Sequence, residues 1–146
     1  MLSKSLPIRI KIPVRFSDTD AMGHMNNSRF FSFMEEGRVA YVRKLFPTEK
    51  PSDSFSFFPF ILADAQCSFK SPVYTGEEIE VALGVTGFGT KSFTMEYLLT
   101  EVKTARLVAT GKSVMVMYDY KSGQSVSVPQ EFREAVTRLQ GGQQFP

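Results

Sequence analysis

The sequence predicts an α+β fold, a five-stranded antiparallel sheet wrapped around one long central helix with a short helix near the C-terminus. Three observations predict it. One stretch near the start alternates apolar and polar residues, a long stretch from Phe30 repeats at three and four, and four more strand-like runs follow in succession. At 146 residues, 42% of them apolar and 22% charged, the chain has the size and make-up of a single globular domain spanning 1–146.

The first strand rests on Ile8, Ile10, Ile12, Val14 and Phe16, separated by Arg9, Lys11, Pro13 and Arg15, a period of two that buries one face. Pro13 has no N–H to give, which marks an edge or a bulge. From Phe30 the period changes: Phe30, Phe33, Met34, Gly37, Tyr41 and Leu45 share one side, with Arg29, Ser32, Glu36 and Arg43 on the other. This is an amphipathic helix of about five turns, preceded by Asn26, Asn27 and Ser28, all able to accept from the unpaired N–H groups of a first turn. Gly37, in the middle of the apolar side, predicts close packing against a sheet.

A Pro-, Ser- and Phe-rich connection from Pro47 to Pro59 leads to the remaining strands. Ile61, Ala63, Ala65, Cys67 and Phe69 alternate with polar residues in the next run. Ile79, Val81, Leu83 and Val85 form another, joined through a turn at Gly87, Phe88 and Gly89 to Phe93, Met95, Tyr97 and Leu99. The last run, Leu107 to Tyr120, carries the small residues Ala109, Gly111 and Ser113 on one face, leaving room for the helix to lie across it. Pro129 opens a terminal helix with Phe132, Val136 and Leu139 on one face; Gly141 ends it, and 141–146 reads as a flexible tail. Such a sheet leaves bare edges, so a homo-oligomer, dimer or tetramer, is expected.

Composition excludes several functions. A net charge of +2, evenly scattered, predicts no nucleic-acid partner and no anionic membrane surface. No run approaches the ~20 apolar residues of a membrane span, and Met1 to Phe16 lacks the apolar core of a secretion signal. One cysteine, Cys67, and one histidine, His24, argue against a disulfide framework and a structural zinc site, and a cytoplasmic location without metal or cofactor is expected.

Chemistry concentrates between the first strand and the helix, in Ser17-Asp18-Thr19-Asp20-Ala21-Met22-Gly23-His24-Met25-Asn26-Asn27. This segment runs into a helix N-terminus, whose free N–H groups and dipole suit an oxygen that gathers negative charge. A carboxylate just upstream can serve as general base for water or attack directly to form a mixed anhydride. Thioesters are apt substrates, because sulfur donates poorly into the carbonyl and one carboxylate with one polarising donor suffices. The residues alone also fit a solvated turn or a capping pair for Asp18 and Asp20, and caps for Asn26 and Asn27. A Ser17, His24, Asp18 triad would crowd three partners into one loop without a nucleophile elbow.

The run Phe16 to Asn27, followed by Phe30, Phe31 and Glu35-Glu36-Gly37-Arg38, resembles the 4-hydroxybenzoyl-CoA thioesterase-like branch of the hot-dog-fold acyl-CoA thioesterases. The turn Pro72 to Glu77, the strand Gly111 to Met117 and Val128-Pro129 extend the likeness over nearly the whole chain. The resemblance implies a hot-dog fold, dimerisation through the sheet and active sites at the dimer interface. It implies that Asp20 is catalytic, that the backbone N–H near Asn27 polarises the thioester carbonyl, and that His24 and Asn27 line or brace the site. It also places the Phe-rich connection, Phe58 included, in the wall of an acyl pocket. Asp18 is read as structural, Glu35 and Glu36 as exposed acids, and Cys67 as core. The substrate is then an acyl thioester of CoA or of an acyl carrier protein, with Lys70, Lys91, Arg106 and Lys112 as candidate phosphate contacts. Two rival readings stand beside hydrolysis: a hot-dog enoyl-thioester hydratase or dehydratase, in which Asp20 and His24 cooperate, and a non-catalytic acyl-CoA-binding protein.

Overall fold

The computed structural model describes residues 6–47 and 60–141. The elements are β1 (Ile8–Pro13), a single 3-10 turn (Phe16–Asp18), α1 (Asn27–Leu45), β2 (Phe60–Phe69), β3 (Glu78–Phe88), β4 (Ser92–Glu101), β5 (Leu107–Asp119), the two-residue β6 (Gln124–Ser125) and α2 (Gln130–Leu139). The strands run in the order β1-β3-β4-β5-β2, every pairing antiparallel, and β6 folds back on the end of β5. This is the hot-dog architecture that the resemblance implies.

Helix α1 buries Phe30, Phe33, Met34, Gly37, Tyr41 and Leu45, the apolar side read from the sequence. Burying the large apolar side chains among them contributes roughly 2 kcal/mol each relative to exposure. Ile8, Leu83, Tyr97, Gly111 and Cys67 stand in one row across the five strands, and the helix sits on this row at two contacts. A Cβ on Gly37 would meet Leu83 and Val81 at 3.2 Å, and one on Gly111 would lie 2.8 Å from the Met34 sulfur. The two glycines set how closely helix and sheet approach.

Three expectations are corrected. β1 stops at Pro13, on the edge of the sheet, and does not reach Phe16; the chain turns there, and Phe16 is 83% exposed. In β2 a bulge between Leu62 and Asp64 breaks the alternation. One inserted residue reverses which face the side chains take, so Phe60 pairs with Met117 and Ile61 with the outward Val116, while Ala65, Cys67 and Phe69 return to the helix side. Phe60 packs edge-on against Phe93 and Phe69 against Phe30. The third concerns the β3–β4 turn: Gly87 and Phe88 belong to β3 beyond a second bulge, and the reversal falls at Gly89, whose N–H donates to the Ser92 carbonyl.

Helix α2 closes the far end through Phe132, which contacts Phe93 and Phe88. Its C-terminal Gln140 is buried and acts as a piece of strand. The side-chain amide donates to the Val85 carbonyl at 3.0 Å and its oxygen accepts the Val85 N–H at 2.8 Å, beside the Tyr41 hydroxyl. It thereby pairs with the β3 edge just beyond the start of β1, and burial pushes the Tyr41 hydroxyl pKa up. Among the described residues no helix is long and apolar enough to cross a membrane. Phe58 and the tail beyond Gly141 lie outside the described residues.

Candidate active site

The loop from Phe16 to Asn26 is a small hairpin, closed by a bridge between Thr19 and Met25 and by the Asp20 N–H donating to the His24 carbonyl at 3.2 Å. Its tip is a tight turn in which the Gly23 N–H donates to the Asp20 carbonyl, with Gly23 at φ +85°, a conformation that glycine adopts without strain. Met25, buried, fastens the hairpin to the body by donating its N–H to the Val73 carbonyl at 2.7 Å. The sequence places a turn, a buried anchor and a helix start within a few residues, so the Asp20 side chain is held close to the first turn of α1.

Asp20 is half-buried and its two oxygens are held separately. Oδ1 accepts the Met22 N–H at 2.9 Å, and Oδ2 accepts Nδ2 of Asn26 at 3.0 Å. Each carboxylate oxygen has room for a further partner. Asn26 is the cap of α1, its Oδ1 accepting both the N–H and the hydroxyl of Ser28. The Asn26 N–H donates to the Asp18 carbonyl and its own carbonyl receives the Arg29 N–H. Asn27 is the first helical residue and exposed, and its N–H meets no acceptor among the described residues. That leaves a free backbone donor at the positive end of a nineteen-residue helix, adjacent to the residue that holds Asp20.

Asp18 is entirely buried and forms the foundation of this loop. Its carboxylate accepts the Arg15 N–H at 2.9 Å, the Arg15 guanidinium at 3.2 Å and the Arg29 guanidinium at 2.8 Å. Burial pushes its pKa up, and the hydrogen bonds from Arg15 and Arg29 more than reverse this, holding it below the usual carboxylate range. The structural role read for Asp18 therefore has a definite form: it ties the strand exit, the 3-10 turn and the first turn of α1 together. Arg29, placed by periodicity on the polar side of the helix, instead turns to this carboxylate. No local pattern links residues eleven apart in this way.

His24 is partly buried; its carbonyl serves the hairpin, and its imidazole makes no hydrogen bond to a described residue. Neither oxygen of Asp20 is held by it. Glu35 and Glu36 are exposed, as read from the sequence. Cys67 faces the core, where burial pushes its thiol up, away from nucleophile chemistry. Of the candidate phosphate contacts, Arg106 is committed to both oxygens of Glu77 at 3.0 and 3.1 Å and to Ser71 and the Pro72 carbonyl. Lys70 directly follows Phe69, which packs edge-on against Phe30 in the first turn of α1, whereas Lys91 lies in the β3–β4 turn beside α2. Lys112 points from the outer face of the sheet, in a shallow groove with Gln66 and Glu96 to which the Asp20 loop contributes nothing.

With that arrangement in place, comparison with known proteins is decisive for the family. Residues 14–136 match the model of the thioesterase-like superfamily. The chain belongs to the thioesterase-like superfamily. Its class of enzyme is accordingly the thioesterase, a hydrolase on the hot-dog fold. A thioesterase from Thermus thermophilus, solved with coenzyme A and zinc, is 30% identical, with a TM-score of 0.83 over 94% of this chain and 97% of that one. The uncharacterised Bacillus subtilis protein YsmA is 32% identical over 86% of this chain and 82% of its own length. A putative esterase of Aquifex aeolicus is 31% identical over 90% of this chain and 98% of its own. Among the described residues no three His, Cys, Asp or Glu side chains converge as a metal site would require.

Proposed function

We propose that this thioesterase hydrolyses an acyl-CoA thioester to the free acid and CoA, with Asp20 as general base or nucleophile and the Asn27 N–H receiving the carbonyl oxygen. The observation that carries the reading is the pairing of a half-buried carboxylate, held by neutral donors at both oxygens, with a free N–H at the start of α1. Attack by water, with Asp20 taking its proton, places negative charge on the carbonyl oxygen, where the Asn27 N–H and the helix dipole stabilise it. The C–S bond then breaks, and the proton on Asp20 passes to the departing thiolate. In the alternative route for the same carboxylate, Asp20 attacks first and water opens the anhydride. A burst of thiol ahead of free acid in rapid-quench kinetics marks that second route.

Coenzyme A as the carrier is supported by the Thermus relative, which was solved with it bound. Lys70 is the cation best placed for its phosphates, at the Asp20 end of the sheet. Lys70→Gln should raise KM for acyl-CoA and leave hydrolysis of the matching acyl-pantetheine unchanged; an equal effect on both sinks that assignment.

The working unit is a homodimer that completes the site. β2 is an edge strand exposed along most of its length on both faces, with Ile61, Leu62 and Phe69 37–48% exposed. On the catalytic loop itself Phe16 and Met22 are 83% and 77% exposed, more than free-standing aromatic and thioether side chains normally are. Light scattering that finds a monomer at the enzyme's working concentration would overturn this. The function is tested by free-thiol release from a panel of benzoyl-, naphthoyl-, phenylacetyl- and short- to long-chain acyl-CoAs. Release identifies the acyl class; binding without release moves the chain to the ligand-binding reading.

A further inference from the structure

Among the described residues, Asn26 is the side chain that ties Asp20 to the first turn of α1. Its amide is planar, and both ends are occupied: Oδ1 accepts the Ser28 N–H at 2.9 Å and the Ser28 hydroxyl at 2.7 Å, while Nδ2 donates to Asp20 Oδ2 at 3.0 Å. The residue that follows it supplies the free N–H of the helix start. The χ2 rotation of an aspartate is broad and nearly two-fold when nothing holds it. Here the Met22 N–H fixes one oxygen and Asn26 the other. We propose that Asn26 is a positioning residue for the reaction, a rigid link that keeps the Asp20 carboxylate at a set distance and orientation from the carbonyl-polarising N–H of Asn27. Capping alone does not need asparagine. Serine, threonine and aspartate cap as well, but serine is too short to reach Asp20, and aspartate has no proton to give it.

That difference separates the two roles of Asn26 experimentally. Asn26→Ser and Asn26→Asp both keep an acceptor for the Ser28 N–H; the melting temperature of Asn26→Ser should stay within about 2 °C of the parent, and that of Asn26→Asp should fall further through repulsion between the two carboxylates. Both lose the bond to Asp20, and a misplaced reacting group costs on the order of 10- to 100-fold in rate. The expected result is a kcat lower by that factor with KM changed less than about two-fold, the loss being larger for Asn26→Asp, which sets a second carboxylate against Asp20. An unchanged kcat in both variants, or a loss that only follows the unfolded fraction, overturns the proposal.

The inference rests on the hydrolytic reading, and a second measurement keeps the two apart. In 1H–15N spectra of the unliganded protein, the Asn26 side-chain amide should shift as the Asp20 carboxylate is titrated, and Asp20→Ala should abolish that shift. If the parent releases thiol from no thioester but this coupling is present, the reaction is wrong and the positioning stands. If turnover is normal and the amide ignores Asp20, the positioning falls alone.

Discussion

Asp18 and Asp20 share one short loop and are held in opposite ways. Asp18 is buried against two guanidinium groups, Arg15 and Arg29, and also receives a backbone N–H. Asp20 is half-exposed and receives one backbone N–H and one neutral amide. A carboxylate paired with cations is satisfied and spends its interactions on holding the chain. One that is oriented by single neutral donors retains lone pairs for water or a carbonyl carbon. The same side chain, two positions apart, is thus a clamp in one place and, in the proposed hydrolysis, the reagent in the other, and the neighbours decide which.

The comparison is most sharply tested by the reagent. Asp20→Asn should lower kcat/KM roughly a thousand-fold with little change in melting temperature, since the isosteric amide still fits the loop but neither takes a proton nor attacks. A variant that keeps more than a tenth of the activity would move catalysis elsewhere. Asp18→Asn should do the reverse, lowering stability by about 3 kcal/mol, the low end for breaking a buried pair because both arginines keep some access to solvent. This would read as a fall of ~10 °C in Tm, with the activity of the folded fraction largely kept. Loss of activity without loss of stability would erase the distinction between the two residues.

The pH dependence of stability gives a third test. The folded pKa of Asp18 is held below its ordinary value of 3.8. Its contribution is therefore full above that value and is lost as pH falls through the folded pKa. Melting temperatures of the parent and Asp18→Asn should lie farthest apart near neutrality and converge below about pH 4. Curves that stay parallel would show that the ionised pair is not what stabilises the loop.

Smaller effects separate the two arginines. Arg29→Gln removes a guanidinium that is 35% exposed and should cost about 1 kcal/mol. Arg15→Gln, at a side chain 63% exposed, should move Tm by only ~1 °C, because solvent screens that pair and the backbone N–H of residue 15 still serves the carboxylate. The reverse order would mean that the 3-10 turn, not the helix start, is what Asp18 secures.

Much of this was legible in the chain. Period two and period three-to-four placed β1, α1 and the later strands, and the six apolar residues of α1 are the ones it buries. Gly37 and the small residues of β5 announced where helix and sheet meet, since a missing Cβ is visible in a sequence. Asp20 and the helix start stood out because a carboxylate upstream of free N–H groups is a local arrangement. Asn26 was visible only as one of three possible caps. That it also grips Asp20 depends on the hairpin folding back through Gly23 and Met25, so its second role was not readable.

What the sequence by itself determined is the set of elements, the faces they bury and the loop in which the candidate site residues stand, because hydrophobic periodicity and turn chemistry act between near neighbours. Only the tertiary structure decided that a bulge reverses the parity of β2, that Gln140 completes the β3 edge, that Arg29 turns from the solvent side to Asp18, and that Asn26 rather than Asn27 orients the carboxylate. Each of these depends on the register and reach between segments brought together by packing. A side chain's partner across such a gap is set by where the backbones come to rest, which no short-range pattern contains.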